Sequence, residues 1–206
     1  MVPRCRSSSR EDTRTTVTDE LERARHGDAR AFDALARTYE RTLYSHVARI
    51  IGPGADAEDV VQDALVSAWR SIRTFEGTSF KAWLFRIARN RAIDVFRARK
   101  RRGELPLEPP DADGGDGSWA EPVAGGPELS DIAAGHEAFA AVEAALGAVP
   151  VEQRDALLLR DVEGFSYEEI ATITASGIGT VKSRIHRART TVRNVLITQG
   201  WKGSSG

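Results

Sequence analysis

Apolar residues in this chain recur at intervals of three and four, and no segment of useful length alternates apolar with polar, so the chain is committed to helices rather than strands. Phe32, Leu35, Tyr39, Leu43 and Val47 are spaced for one face of a helical stretch running from about Asp19 to Ile51, after which Gly52, Pro53 and Gly54 end the pattern. Val61, Leu65, Ala68 and Ile72 form a second stripe. Asp56, Glu58 and Asp59 stand in its first turn, where carboxylates suit the positive end of the helix dipole. Residues 75–79, with Gly77, read as a loop. From about Phe80 a third helix carries Leu84, Ile87, Ala88 and Val95 on one side, interrupted by Arg91, with Arg86, Asn90 and Arg97 on the other. Further on, Phe139, Val142, Leu146 and Val149 line another helix, Pro150 suits the first turn of the next, and that one covers residues 151–162. No internal repeat of fixed period is present. The expected fold class is all-α.

Charge is segregated along the chain in a way that the net figure of −1 conceals. Residues 81–102 hold nine basic side chains (Lys81, Arg86, Arg89, Arg91, Arg97, Arg99, Lys100, Arg101 and Arg102) against the single acid Asp94. Residues 103–137 reverse the balance, with nine acids and neither Lys nor Arg. Between 178 and 194, Lys182, Arg184, Arg187, Arg189 and Arg193 again stand without an acid. Two basic surfaces are therefore separated by an acidic connector, rich in Gly and Pro from 103 to 130, whose few large apolar residues cannot offset the entropy of ordering. The expected organisation is a disordered polar tail over 1–18, a helical domain over 19–102, a flexible acidic linker over 103–130, a second helical domain over 131–197 and a short tail over 198–206.

The sharpest local pattern lies in the second domain. Ser166 followed by Glu169 is a capping box, so a short helix starts there and runs to about Thr174 before Ser176 and Gly177 break it. A second helix begins near Gly179 and Thr180, with Val181, Ile185, Ala188 and Val192 on one narrow stripe and Ser183, His186, Arg187 and Thr190 opposite. A short helix, a tight turn and a second helix with an apolar underside and a cationic outer face is the helix-turn-helix layout, whose second helix enters the DNA major groove. The bland alternative is a solvated basic helix in a bundle. A phosphate loop through Gly177, Gly179 and Thr180 does not fit, since no strand precedes it and the spacing from Gly to Lys is wrong.

Other classes are disfavoured. Cys5, the only cysteine, permits no internal disulfide and no cysteine-rich metal site, and His26, His46, His136 and His186 lack metal-ligand spacing, so no metal or other cofactor is expected. No paired carboxylates or clustered nucleophiles suggest an active site, and the chain reads as a DNA-binding protein rather than an enzyme. No stretch reaches the roughly 18 apolar residues of a membrane span and residues 1–10 lack a signal-type apolar core, so a cytoplasmic location without membrane insertion is expected.

Two blocks of residues carry a family resemblance. Glu152, Gln153, Arg154, Leu157 to Arg160, Val162 to Ala171 and Gly179 to Arg189 form one, and Ala57 to Asp63 together with Phe80, Trp83 to Asn90 and Asp94 form the other. In order, spacing and separation they resemble the extracytoplasmic-function sigma factors of the sigma-70 family, promoter-recognition subunits of bacterial RNA polymerase. The resemblance implies that the C-terminal domain reads the −35 promoter element through Thr180, Lys182, Ser183, Arg184, His186 and Arg187. It implies that the N-terminal domain captures the melted −10 strand through Phe75, Ser79, Lys81, Trp83, Arg86, Asn90 and Arg97, with Trp83 serving either as base platform or as simple core. Asp56, Asp59, Gln62 and Asp63 are implied to face the largest subunits of core polymerase, the alternative for these acids being helix polarity alone. Core RNA polymerase, promoter DNA and an anti-sigma factor are the implied partners. Where the family commonly has Gly and Pro in the helix-turn-helix turn, this chain has Ala175 and Gly177, which predicts an altered turn. An autonomous operator-binding regulator, with a dimerisation or sensing domain in its N-terminal half, is the rival reading.

Overall fold

The computed structural model describes residues 8–77, 79–104 and 136–200, apart from the side chains of 8–16 and 136–139. Every regular element among them is helical. In chain order they are α1 (Ser8–Arg25), α2 (Ala29–Ile51), α3 (Ala55–Ser71) running into a 3₁₀ turn (Ile72–Thr74), α4 (Phe80–Arg101), α5 (His136–Gly147), α6 (Val151–Leu157) running into a π turn (Leu158–Val162), α7 (Tyr167–Thr174) and α8 (Ile178–Thr198). The chain divides into two compact units, Met1–Val95 and Phe96–Gly206. The residues of the expected linker beyond Glu104 lie outside the described set.

In the first unit the sequence expectation of one helical stretch from Asp19 to Ile51 resolves into two helices. Gly27, at φ 95°, adopts a conformation that a side chain disfavours, and Asp28 then caps α2 by accepting from the backbone N–H groups of Arg30 and Ala31. The apolar spacing continues across the break because both helices pack on the same core, so periodicity alone could not show it. Residues 8–18, expected to be disordered, are helical in α1. Their polar composition leaves no apolar stripe to read.

Leu35, Leu43, Val47 and Ile50 of α2 are buried, as are Val60, Val61, Ala64 and Ala68 of α3 and Leu84, Phe85, Ala88, Ala92 and Ile93 of α4. The stripe on α4 differs from the one expected: Ile87 and Val95 are only half-buried, and Phe85, Ala92 and Ile93 take the core positions. Arg91 does not interrupt the core at all. It reaches across to α3, where Nη1 stands 2.8 Å from Asp63 Oδ2 and Nη2 donates to Ser67 Oγ at 2.9 Å. Between α2 and α3 the Gly52 to Gly54 turn is pinned by the Gly54 N–H donating to the Tyr44 hydroxyl at 3.3 Å.

The second unit packs α5, α6 and α7 on α8. Leu157, Leu158, Leu159, Phe165, Ile170 and Ile173 from the first elements meet Val181, Ile185, Ala188, Val192 and Leu196 of α8, all buried. Pro150 stands as the residue before α6 rather than in its first turn, and its carbonyl accepts from the N–H groups of Gln153 and Arg154. The reciprocal capping box is present: Ser166 Oγ accepts from Glu169 N–H at 3.1 Å and the Glu169 carboxylate accepts from Ser166 N–H at 2.9 Å.

Candidate nucleic-acid interface

The turn joining α7 to α8 is made by a residue whose backbone does not favour it. Ala175 lies at φ 51°, ψ 44°, in the left-handed region, with its N–H donating to the Ala171 carbonyl and the next N–H, that of Ser176, donating to the same oxygen. Gly177, by contrast, has an ordinary extended backbone and precedes α8, which starts at Ile178 and so one or two residues earlier than the sequence indicates. The reversal thus turns on Ala175, and the Thr174 and Ser176 hydroxyls, 2.7 Å apart, tie its two sides.

On α8 no acidic residue is present in any turn. Lys182 and His186 are exposed and Thr180 and Arg187 half-exposed, as the outer-face expectation requires. Ser183 and Arg184 depart from it. Ser183 is buried, with its hydroxyl donating to the Thr180 carbonyl at 2.9 Å. Arg184 is also buried, with Nη1 3.9 Å from the Glu152 carboxylate of α6. At about 100° per residue Arg184 lies closer to the buried stripe than Lys182 and His186 do, beside the Glu152 carboxylate, whereas Ser183 lies on the opposite side of the helix, where its short side chain folds back onto the Thr180 carbonyl.

Lys182 is held from below: its ammonium lies 5.6 Å from the centre of the Tyr167 ring, and the Arg160 guanidinium lies 4.8 Å from the same ring. Arg160 is itself anchored by donating to the Phe165 carbonyl at 2.9 Å. Seven residues beyond Lys182, Arg189 makes a bidentate pair with Asp161 of the π turn. Neither Tyr167 nor this pair was distinguished by the sequence pattern. The pair depends on the π turn that brings Asp161 to α8, and the Tyr167 contact on the packing of α7 against α8.

In the first unit the loop before α4 is packed rather than open. Phe75 is buried, its ring 4.8 Å from that of Trp83 and 6.2 Å from that of Phe80, while Phe80 also meets Tyr39 at 5.8 Å. Phe75, expected at a base-binding surface, is instead part of the aromatic packing that backs the half-exposed Trp83. Gly77 is required here, because a Cβ on it would come within 2.7 Å of Phe75 Cε2. Ser79 opens α4, its hydroxyl accepting from the Ala82 N–H at 3.2 Å, and Thr78 lies outside the described residues. Lys81 is half-buried with its ammonium 5.4 Å from the Phe85 ring centre, whereas Arg86, Asn90 and Arg97 are exposed along α4. Asp56, Asp59, Gln62 and Asp63 are all exposed on α3, and of these Asp63 is engaged by Arg91.

An all-helical chain with a capped helix-turn-helix and an acid-free basic second helix defines a class: a helix-turn-helix DNA-binding protein. Comparison with known proteins then narrows it. Residues 35–102 match the family model for sigma-70 region 2 and residues 139–192 that for sigma-70 region 4. The chain is 38% identical to the RNA polymerase sigma-H factor of Pseudomonas aeruginosa over 85% of its own length and 91% of that protein's. It is 37% identical to the ECF RNA polymerase sigma-E factor of Escherichia coli over 86% and 94%. Among solved structures, CnrH in complex with the cytosolic domain of CnrY superposes with a TM-score of 0.64 at 26% identity, covering 89% of this chain and 98% of that one. The sigma factor RpoE of Bartonella quintana, in complex with the anti-sigma factor NepR, gives 0.59 at 30%, covering 81% and 96%. The chain belongs to the extracytoplasmic-function group of the sigma-70 family. It is an RNA polymerase sigma factor, which directs the polymerase to promoters and starts transcription, and it is not an enzyme.

Proposed function

We propose that the two family regions divide promoter recognition between them, with α8 reading the −35 duplex and the α3–α4 unit docking polymerase and holding the melted −10 strand. The observation that carries the reading is the acid-free α8, whose exposed Lys182 and His186 and half-exposed Thr180 and Arg187 share an outer surface. Cationic groups there suit phosphates and the acceptor edge of guanine, and Thr180 suits a phosphate at the helix start. Ser183 and Arg184 act from beneath, through the Thr180 carbonyl and Glu152, rather than as the first contacts.

In the first unit, Trp83 offers a ring face for an unstacked base, with Phe75 behind it and Ser79 and Lys81 beside it, while Arg86 and Asn90 track the backbone; Arg97, on the stretch of α4 within the second unit, is proposed for the same strand and donates to Glu152 of α6 at 2.9 Å. Asp56, Asp59, Gln62 and Asp63 present an acidic surface suited to a basic partner on core polymerase. The domain limits proposed are 19–102 and 131–197, with 103–130 as connector. The proposed location is the cytoplasm, where RNA polymerase works; no helix among the described residues is long and apolar enough to cross a membrane. An anti-sigma protein that masks these surfaces is the proposed regulator, a reading supported by the solved complex of the sigma factor RpoE with the anti-sigma factor NepR.

Footprinting of holoenzyme on promoter fragments tests the assignment. Lys182→Ala or Arg187→Ala should weaken protection of the −35 region by about 1–3 kcal/mol where a base contact is lost, and less for a phosphate contact. Unchanged protection by both variants would remove α8 from the reading.

A further inference from the structure

Lys182, His186, Arg189 and Arg193 follow one another on α8 at spacings of four, three and four, so they form a single stripe along the helix. Arg189 makes a bidentate ion pair: its Nε lies 3.0 Å from one oxygen of Asp161 and its Nη2 donates to the other. The Asp161 side chain is 14% exposed and that of Arg189 49%, so the carboxylate is rooted in the fold while the guanidinium remains near the surface. Asp161 belongs to the π turn Leu158–Val162, and the residue before it, Arg160, lies on the Tyr167 ring that also carries Lys182. Two consecutive residues of one irregular turn therefore reach two members of the cationic stripe, Arg160 meeting Lys182 through the shared Tyr167 ring and Asp161 meeting Arg189 directly. Extra residues in a helical turn of this kind recur at functional sites.

A phosphate-reading cation raises affinity for every sequence equally, whereas base contacts separate one sequence from another. A guanidinium already satisfied by a bidentate carboxylate has no reason to seek a phosphate, since the pair is strong and directional. We propose that Asp161 is a specificity-determining residue: by holding Arg189 it withholds one charge from sequence-independent phosphate binding and fixes the pose of α8, so that discrimination falls to Lys182, His186 and Arg187. This rests on α8 being the duplex reader.

The test uses the full chain, a duplex enriched from a random pool by the wild-type protein, and a scrambled duplex of the same composition. Asp161→Asn should tighten binding to the scrambled duplex about 3- to 8-fold at 0.1 M salt and steepen the salt slope by about one, the signature of one added phosphate contact. Binding to the enriched duplex should gain less, so the ratio between the two falls. Arg189→Gln should leave the wild-type slope unchanged, and the Asp161→Asn, Arg189→Gln double variant should restore it, with thermal melting confirming the fold of each. A merely structural pair would lower stability and both affinities together without moving the slope. A slope that drops by one in Arg189→Gln would show that Arg189 already binds phosphate, and an unaltered scrambled-duplex affinity in Asp161→Asn would equally overturn the proposal. Failure of α8 as reader looks different: no sequence is enriched by the wild-type chain, or Lys182→Ala and Arg187→Ala bind the enriched duplex normally, and the proposal then falls with it.

Discussion

At the scale of single residues, Ala175 shows a local cost accepted for a turn. A non-glycine residue in the left-handed region loses about 1–2 kcal/mol relative to its preferred backbone, while glycine adds freedom to the unfolded chain worth about 0.4–1 kcal/mol in the opposite sense. Ala175→Gly should therefore stabilise the second unit by up to about 1 kcal/mol in urea denaturation, and Ala175→Val, whose branched side chain resists this conformation, should destabilise it by more than that. Asp28 offers a pH test. Its carboxyl is held below the ordinary range chiefly by the hydrogen bond from Arg23, aided by the Ala31 N–H. A folded-state value below the unfolded one means stability that is present above about pH 4 and lost as pH falls through and below that point. Asp28→Ser keeps a capping oxygen without the charge, so its melting temperature should fall less than the wild type's between pH 5 and pH 2.5.

At the scale of elements, caps and cross-helix ties decide what each helix can present. The Ser166–Glu169 box starts α7 at the residue before Tyr167, and hence fixes the ring beneath Lys182. Ser166→Ala should cost about 1 kcal/mol by chemical denaturation, since one N–H loses its acceptor. The Arg91 bridge from α4 to α3 is a different matter. Its partners are largely exposed, with 42% of the Arg91 and 66% of the Asp63 side chain open to solvent. Exposed pairs of this kind contribute roughly 0.2–1 kcal/mol, so Arg91→Ala should shift the denaturation midpoint only slightly. Because Asp63 also maintains that bridge, Asp59→Lys with Gln62→Lys is the cleaner disruption of the α3 surface. It should abolish co-purification with core polymerase while circular dichroism stays helical, and retained association at ordinary salt would remove α3 from the docking surface.

At the scale of the whole molecule, the connector proposed over residues 103–130, 28 by count, carries a length prediction. Fully extended, it reaches roughly 90–100 Å at about 3.3–3.6 Å per residue, whereas a free coil of that length averages about 30 Å end to end. Promoter elements two helical turns apart are separated by roughly 70 Å. Removing half of the connector leaves a reach of about 50 Å, so such a deletion should preserve the helical content of both units and abolish initiation at promoters that need both elements. Normal run-off transcription from the shortened chain would refute two-site recognition.

What the sequence determined by itself was set by short-range rules. Spacing of three and four marks helices, a serine three residues before a glutamate marks the start of α7, and a run of cations without acids marks a nucleic-acid-facing helix, so the all-helical class, the helix-turn-helix and the family were all legible in it. Tertiary structure decided what depends on partners distant in the chain. Arg91 looked like a flaw in an apolar stripe until α3 supplied Asp63 and Ser67, 28 and 24 residues away. Arg184 counted as an outward cation until α6 supplied Glu152, and Phe75, implied by the resemblance to help hold a −10 base, packs against Trp83 of α4. A basic or aromatic side chain reads the same in sequence whether water, a carboxylate or another ring receives it. Only the packed fold settles which of these it meets, because desolvation and pairing act over distances through space that spacing along the chain does not encode.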